Sequence, residues 1–181
     1  MKLEFLAQSK RRIKQASSQF CQMIDKTITY IGTIATWLVL MLVAITIYDV
    51  VMRYLFKQGS VAIQELEWHL FAAIFLLGSS SALQSDQHVR VDVFYRSKRI
   101  SEQRRALIDL LGCFFLLLPF CAVIIWSSLP FVMDSFVHKE VSPDPGGLSY
   151  RWAIKALIPL GFFLLILSAV SELRKRYKKL K

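Results

Sequence analysis

The chain has 181 residues, 55% of them hydrophobic, and carries a formal charge of +10 from 23 Lys and Arg against 13 Asp and Glu. Soluble domains are nearer about 45–50% apolar, so the excess points to lipid. In a soluble protein the positive balance would point to nucleic acid, but no aromatic platform accompanies it, and the charges are swept out of four long apolar stretches. Those stretches and their connectors use up the chain, which excludes a separate soluble catalytic domain.

Residues 1–26 form a basic segment in which Leu6, Ile13, Ala16, Phe20 and Ile24 fall near one helical face. An interfacial amphipathic helix on the inner membrane surface is expected there, with Arg11 and Arg12 touching lipid headgroups. Charges continue to Lys26 and the apolar stretch beyond is too long for a signal h-region, so a cleavable signal is not expected.

A four-helix membrane domain is expected over 27–173, with spans at about 27–50, 66–85, 106–133 and 152–172, followed by a basic tail at 174–181. Thr27 to Tyr48 and Leu110 to Met133 contain no charge. The second span carries Gly78-Ser79-Ser80-Ser81-Ala82 and suits contact with protein better than lipid. Gly32 and Thr36 give the first span a small-residue face for close helix approach. Pro119 and Pro159 are expected to kink their helices. Cys113 and Cys121, eight helical positions or roughly 12 Å apart, are too distant for a disulfide.

Lys and Arg number six before the first span, then two, six, two and six in the segments that follow, with Lys155 at the start of span four. This alternation places both termini and the middle connector in the cytoplasm. In that connector the DQHVRVDVFY string (86–95) alternates apolar and polar residues and reads as a segment along the headgroups. Asp92 is an acid in basic surroundings, a candidate partner for Arg90, Arg96 or an N-terminal arginine, or else a solvated charge. Arg96, Arg99, Arg104 and Arg105 are candidate headgroup contacts, and Ser101 an N-cap opening the helix into span three.

No mid-span charge of the kind membrane carriers use for chemistry is present, because Asp49, Asp109, Asp134 and Glu172 sit at span ends, where water or headgroups are expected to reach them. Only His69, His88 and His138 could ligate a metal or haem, and they stand at different heights. No HExxH, GxSxG or P-loop pattern occurs, so an enzyme is not expected. The opening of span two, Gln64-Glu65-Leu66-Glu67-Trp68-His69, is the candidate interface. Glu65 and Glu67 read either as a docking or ion-pairing site, with Arg53 the nearest partner, or as acids complementing the helix dipole. Trp68 suits the membrane interface, and His69, four residues after Glu65, reads as a hydrogen-bonded structural residue. The Pro-Gly string 140–148 between spans three and four reads as a defined turn.

Taken together, the strings QELEWHLF (64–71), DQHVRVDVFY (86–95) and EVSPDPGGLSYRWAIKALIPLGF (140–162) resemble the small permease, or DctQ-like, subunit of tripartite ATP-independent periplasmic (TRAP) transporters, nearest the mannitol/chloroaromatic branch. The resemblance implies a bacterial inner-membrane protein without a cofactor of its own. It implies a large membrane subunit carrying the substrate and sodium sites, and a periplasmic substrate-binding protein delivering an organic acid-type solute. The small subunit would be a static scaffold and anchor for the elevator-type large one, in contact with membrane phospholipids. A stand-alone homo-oligomeric carrier or channel is the alternative, and it would need a continuous polar stripe that no span offers.

Overall fold

A computed structural model describes the backbone of residues 2–85 and 101–180, and the side chains of 19–85, 101, 104–105 and 107–176. The described residues form helices α1 (Lys2–Leu55), α2 (Val61–Gln84), α3 (Glu102–Gly112), α4 (Leu118–Val137) and α5 (Trp152–Leu180), with a π-turn (Cys113–Leu117) joining α3 to α4 into one rod. Four of these rods are long and apolar enough to cross a membrane, and no strand occurs among the described residues. The fold is therefore an all-α integral membrane protein.

Residues 2–26 continue without a break into the first span, as α1 runs for 54 residues. No Gly or Pro occurs before Gly32, so nothing in the sequence interrupts the hydrogen-bond ladder. At 1.5 Å per residue α1 is about 80 Å long, well beyond the roughly 30 Å hydrocarbon core. The side chains of Arg11 and Arg12 lie outside the described residues, as do all of Asp92, Arg96 and Arg99.

Helix α2 begins at Val61, earlier than the expected start at 66, after Ser60 in extended conformation. Ser101 caps α3, its hydroxyl accepting from the Arg104 N–H at 3.4 Å. The π-turn precedes Pro119, whose missing N–H frees the Phe115 carbonyl, and it supplies the local irregularity that such a proline demands. Pro130 and Pro159 lie inside α4 and α5, which continue through them.

The rods stand in a row: α1 packs on α2, α2 on α5, and α5 on the α3–α4 rod. Because the row is not closed into a ring, much apolar surface stays outside. Among the described residues Trp37, Leu40, Phe71, Phe75, Val123 and Trp126 are all exposed. The buried positions are mostly small, among them Ala35, Ala73, Cys121, Ser128, Ser168 and Ala169. Small residues let backbones approach where lipid removes the hydrophobic drive between helices. Two glycines mark the closest approaches to α2. A Cβ on Gly32 would lie 2.8 Å from Ser81 Cβ, and one on Gly161 would lie 2.9 Å from both Cβ and the carbonyl oxygen of Leu76. Ser168 of α5 donates to the Ser80 carbonyl at 2.9 Å. Gly32 of span one and the Gly-Ser run of span two thus meet each other, and Ser80 of that run meets α5, whereas Thr36 is exposed and donates to the Gly32 carbonyl of its own helix.

Candidate functional site

At the end of the row formed by the two short loops, Glu65 is buried on the first turns of α2. Its carboxylate accepts from the Ser142 hydroxyl and from the Leu148 N–H, the latter at 2.6 Å. The loop between those donors closes on itself, with Ser142 N–H to the Leu148 carbonyl at 3.0 Å, Gly147 N–H to the Asp144 carbonyl at 3.0 Å, and Asp144 N–H to Ser142 Oγ at 3.2 Å. Gly146 sits at φ +81°, and a Cβ on Gly147 would lie 2.8 Å from Glu65 Oε2. The two glycines therefore do different work: one turns the chain, and the other lets the backbone reach the carboxylate.

The sequence reading paired Arg53 with these acids, and the structure corrects this. Arg53 instead forms an ion pair with Asp49, one turn earlier on α1. Asp49 is only 2% exposed, so it is not the solvent-reached residue its position at a span end indicated. A carboxylate at the edge of an apolar span is cheaper to neutralise on its own helix than across a gap. His69 Nδ1 lies 2.5 Å from the Glu65 carbonyl oxygen, and Trp68 is exposed. Glu67 is half-buried, with Oε1 shielded and no hydrogen-bond partner among the described residues.

Beside this loop, Glu140 binds the Lys155 ammonium and has Arg151 Nε at 3.9 Å. Lys155 Nζ also stands 3.9 Å from the centre of the Phe131 ring. Its neighbour Lys155, donating a hydrogen bond, is the chief reason the Glu140 carboxyl is held below its ordinary value of 4.5, with Arg151 adding to the effect. The cation at the start of span four is thus neutralised at once.

At the opposite end, where α1 enters the row and α5 leaves it, sequence reasoning missed a second polar cluster. Asp25 accepts from Ser171 Oγ at 2.7 Å and pairs with Lys175 at 3.2 Å, while its backbone carbonyl accepts from Gln84 Nε2 at 3.2 Å. Lys175 also meets Glu172 at 2.7 Å, and Arg176 pairs with Asp109 and lies 3.9 Å from Glu172. Four rods are joined there by side chains. Asp109 and Glu172, expected to be solvated, are mostly covered by these cations. Of the predicted arginines on α3, Arg104 is exposed and Arg105 half-buried. The cluster's one sequence signal was the pairing of acids with the Lys and Arg read as a plain tail. Asp25 and Ser171 are 146 residues apart, too far for any local pattern.

Between α2 and the α3–π-turn stretch, over α5, lies a cavity of about 680 Å³. Asp109, Glu172 and Arg176 line one end of it, and the half-buried Leu117 and Leu165 are among its apolar walls. Among the described residues no group of three or more His, Cys, Asp or Glu is placed to hold a metal ion.

The family model for tripartite ATP-independent periplasmic transporters, DctQ component, matches residues 42–179. The chain belongs to the DctQ family. No curated protein matches it. The DctQ match covers α2 to α5, both polar clusters except Asp25, and the loop that wraps Glu65. Membership makes this chain the small subunit of a TRAP transporter in the inner membrane, partnered by a large membrane subunit and a substrate-binding protein, and a transporter component rather than an enzyme. The mannitol/chloroaromatic branch is a finer assignment that the DctQ match does not reach.

Proposed function

We propose that this DctQ chain is the static scaffold of a sodium-coupled TRAP transporter for an organic acid-type solute, with both termini cytoplasmic and the sodium and solute sites on the large subunit. The observation that carries the reading is how the interior polar groups are used: they bind one another across helices. Ser168 holds Ser80, Ser171 and Lys175 hold Asp25, Arg176 holds Asp109, and Glu65 holds the 142–148 loop. Such bonds lock neighbouring rods in register. A row of fixed rods with large apolar flanks offers one flank to a partner and the other to lipid, which is the shape needed beside a subunit that slides. The exposed arginines near the terminal end add headgroup attraction of about 1 kcal/mol each.

The test is reconstitution of the large subunit and binding protein in vesicles with and without this chain. Sodium-driven solute uptake that requires the chain, with none by the chain alone, is expected. Uptake by the chain alone would instead establish a stand-alone homo-oligomeric carrier.

A further inference from the structure

We propose that the cavity between α2 and the α3–π-turn stretch is a binding site for one acyl chain of a membrane phospholipid, whose headgroup sits at the Asp109–Glu172–Arg176 rim. The proposal needs only the chain's place in a bilayer and stands apart from the scaffold reading. Its polarity runs in one direction. All three charged lining residues lie toward the end where α5 finishes, and apart from Ser79 the wall further along the rods is apolar, through Leu116, Leu117, Phe120 and Leu165. From Asp109 to Phe120 the helical rise is about 16 Å, so the polar end lies at headgroup depth when the apolar end is inside the hydrocarbon layer. The cavity is partly open, as an acyl chain entering from the bilayer requires.

The rim argues for a phospholipid over a plain hydrocarbon segment of protein. It presents both signs, with Asp109 and Glu172 facing Arg176 and Lys175 bound to Glu172. A zwitterionic headgroup complements that mixture: its phosphate accepts from the cations and its ammonium donates to the carboxylates. An apolar transmembrane helix would bring no charges to this depth. The π-turn is the second support, since Cys113, Leu116 and Leu117 all line the cavity and such turns concentrate at functional sites. Gly112 also lines it, and a Cβ added there would meet nothing within 4 Å. The open space therefore begins at the helix backbone itself.

The probe is phosphatidylethanolamine bearing a photoactivatable acyl chain, incorporated into vesicles holding the transporter complex, with adducts mapped by mass spectrometry. We expect adducts concentrated at the half-buried Leu117 and Leu165 over those around Trp126, which is 81% exposed on α4 and reports the general lipid shell. Gly112→Phe, whose Cβ would meet no atom within 4 Å, should lower the cavity adducts roughly tenfold, the effect of about 1.4 kcal/mol of lost binding, and leave the Trp126 adducts unchanged. Ala82→Phe plugs the opposite wall and should do the same, so a folding failure of one variant leaves the other decisive. Adducts no denser at the cavity than at Trp126, or insensitive to both plugs, would overturn the site. Adducts that appear only after the large subunit is removed would also overturn it, assigning the cavity to a helix of that subunit.

Discussion

Glu65 shows one side chain settling the shape of a loop fourteen residues long. The Ser142 hydroxyl and the Leu148 N–H both end on its carboxylate, and Gly147 is the residue that makes the approach possible. Removing the carboxylate leaves two donors without their acceptor while the turn's own backbone bonds remain. Glu65→Ala is therefore expected to make the 142–148 segment several-fold more susceptible to protease and to lower the yield of the assembled complex. Glu67→Ala, which removes no such bond, should change neither. Glu140 provides a pH signature at the same scale. Its carboxyl is held below 4.5 in the folded chain, chiefly by Lys155. A depressed carboxyl stabilises the fold fully above its unfolded value and loses that contribution as pH falls through the folded one. Thermal melting in detergent should thus show a Glu140 contribution that is constant from pH 7 down to about 5 and declines below 4.5. Glu140→Gln should remove that part of the decline.

At the scale of elements, α2 is the member that decides the packing. It lies between α1 and α5 and touches both at glycine. The two contacts differ in what could yield. A Cβ at Gly32 meets the Ser81 side chain, which can turn, whereas one at Gly161 meets the Leu76 backbone carbonyl, which cannot. Gly161→Ala is expected to cost about 1–3 kcal/mol by overpacking, Gly32→Ala less, and Gly78→Ala nothing, because a Cβ there meets no atom within 4 Å. Steric-trap or thermal unfolding of the three variants in the same detergent checks the order. Much of this was legible beforehand, since a small-residue face on the first span and a Gly-Ser run on the second can only suit close contact in lipid. The partner helix was not legible: Ser80 and Ser168 are 88 residues apart, and no periodicity relates them.

Over the whole molecule, alternating basic connectors and an unclosed row of rods describe a chain made to sit in a membrane and beside another protein. Reporter fusions should place the start of α1 and the end of α5 in the cytoplasm and the Gly59 and Asp144 loops outside it. A cytoplasmic signal from either loop would invert the topology. Four spans, their order and the absence of a catalytic motif followed from composition and charge alone, because hydrocarbon imposes one requirement on every residue it touches and leaves that mark along the chain. The continuity of α1 was equally present, as a stretch of 31 residues without Gly or Pro, but amphipathic patterning at its start read as a separate element. What only the tertiary structure decided is which polar groups meet. Arg53 turned to Asp49 rather than Glu65, Glu65 took the distant loop, and Asp25 was joined to Ser171 and Lys175. A charge near a bilayer must be neutralised by whichever opposite group lies within a few ångströms. That distance is a property of the folded row, and spacing along the chain does not contain it.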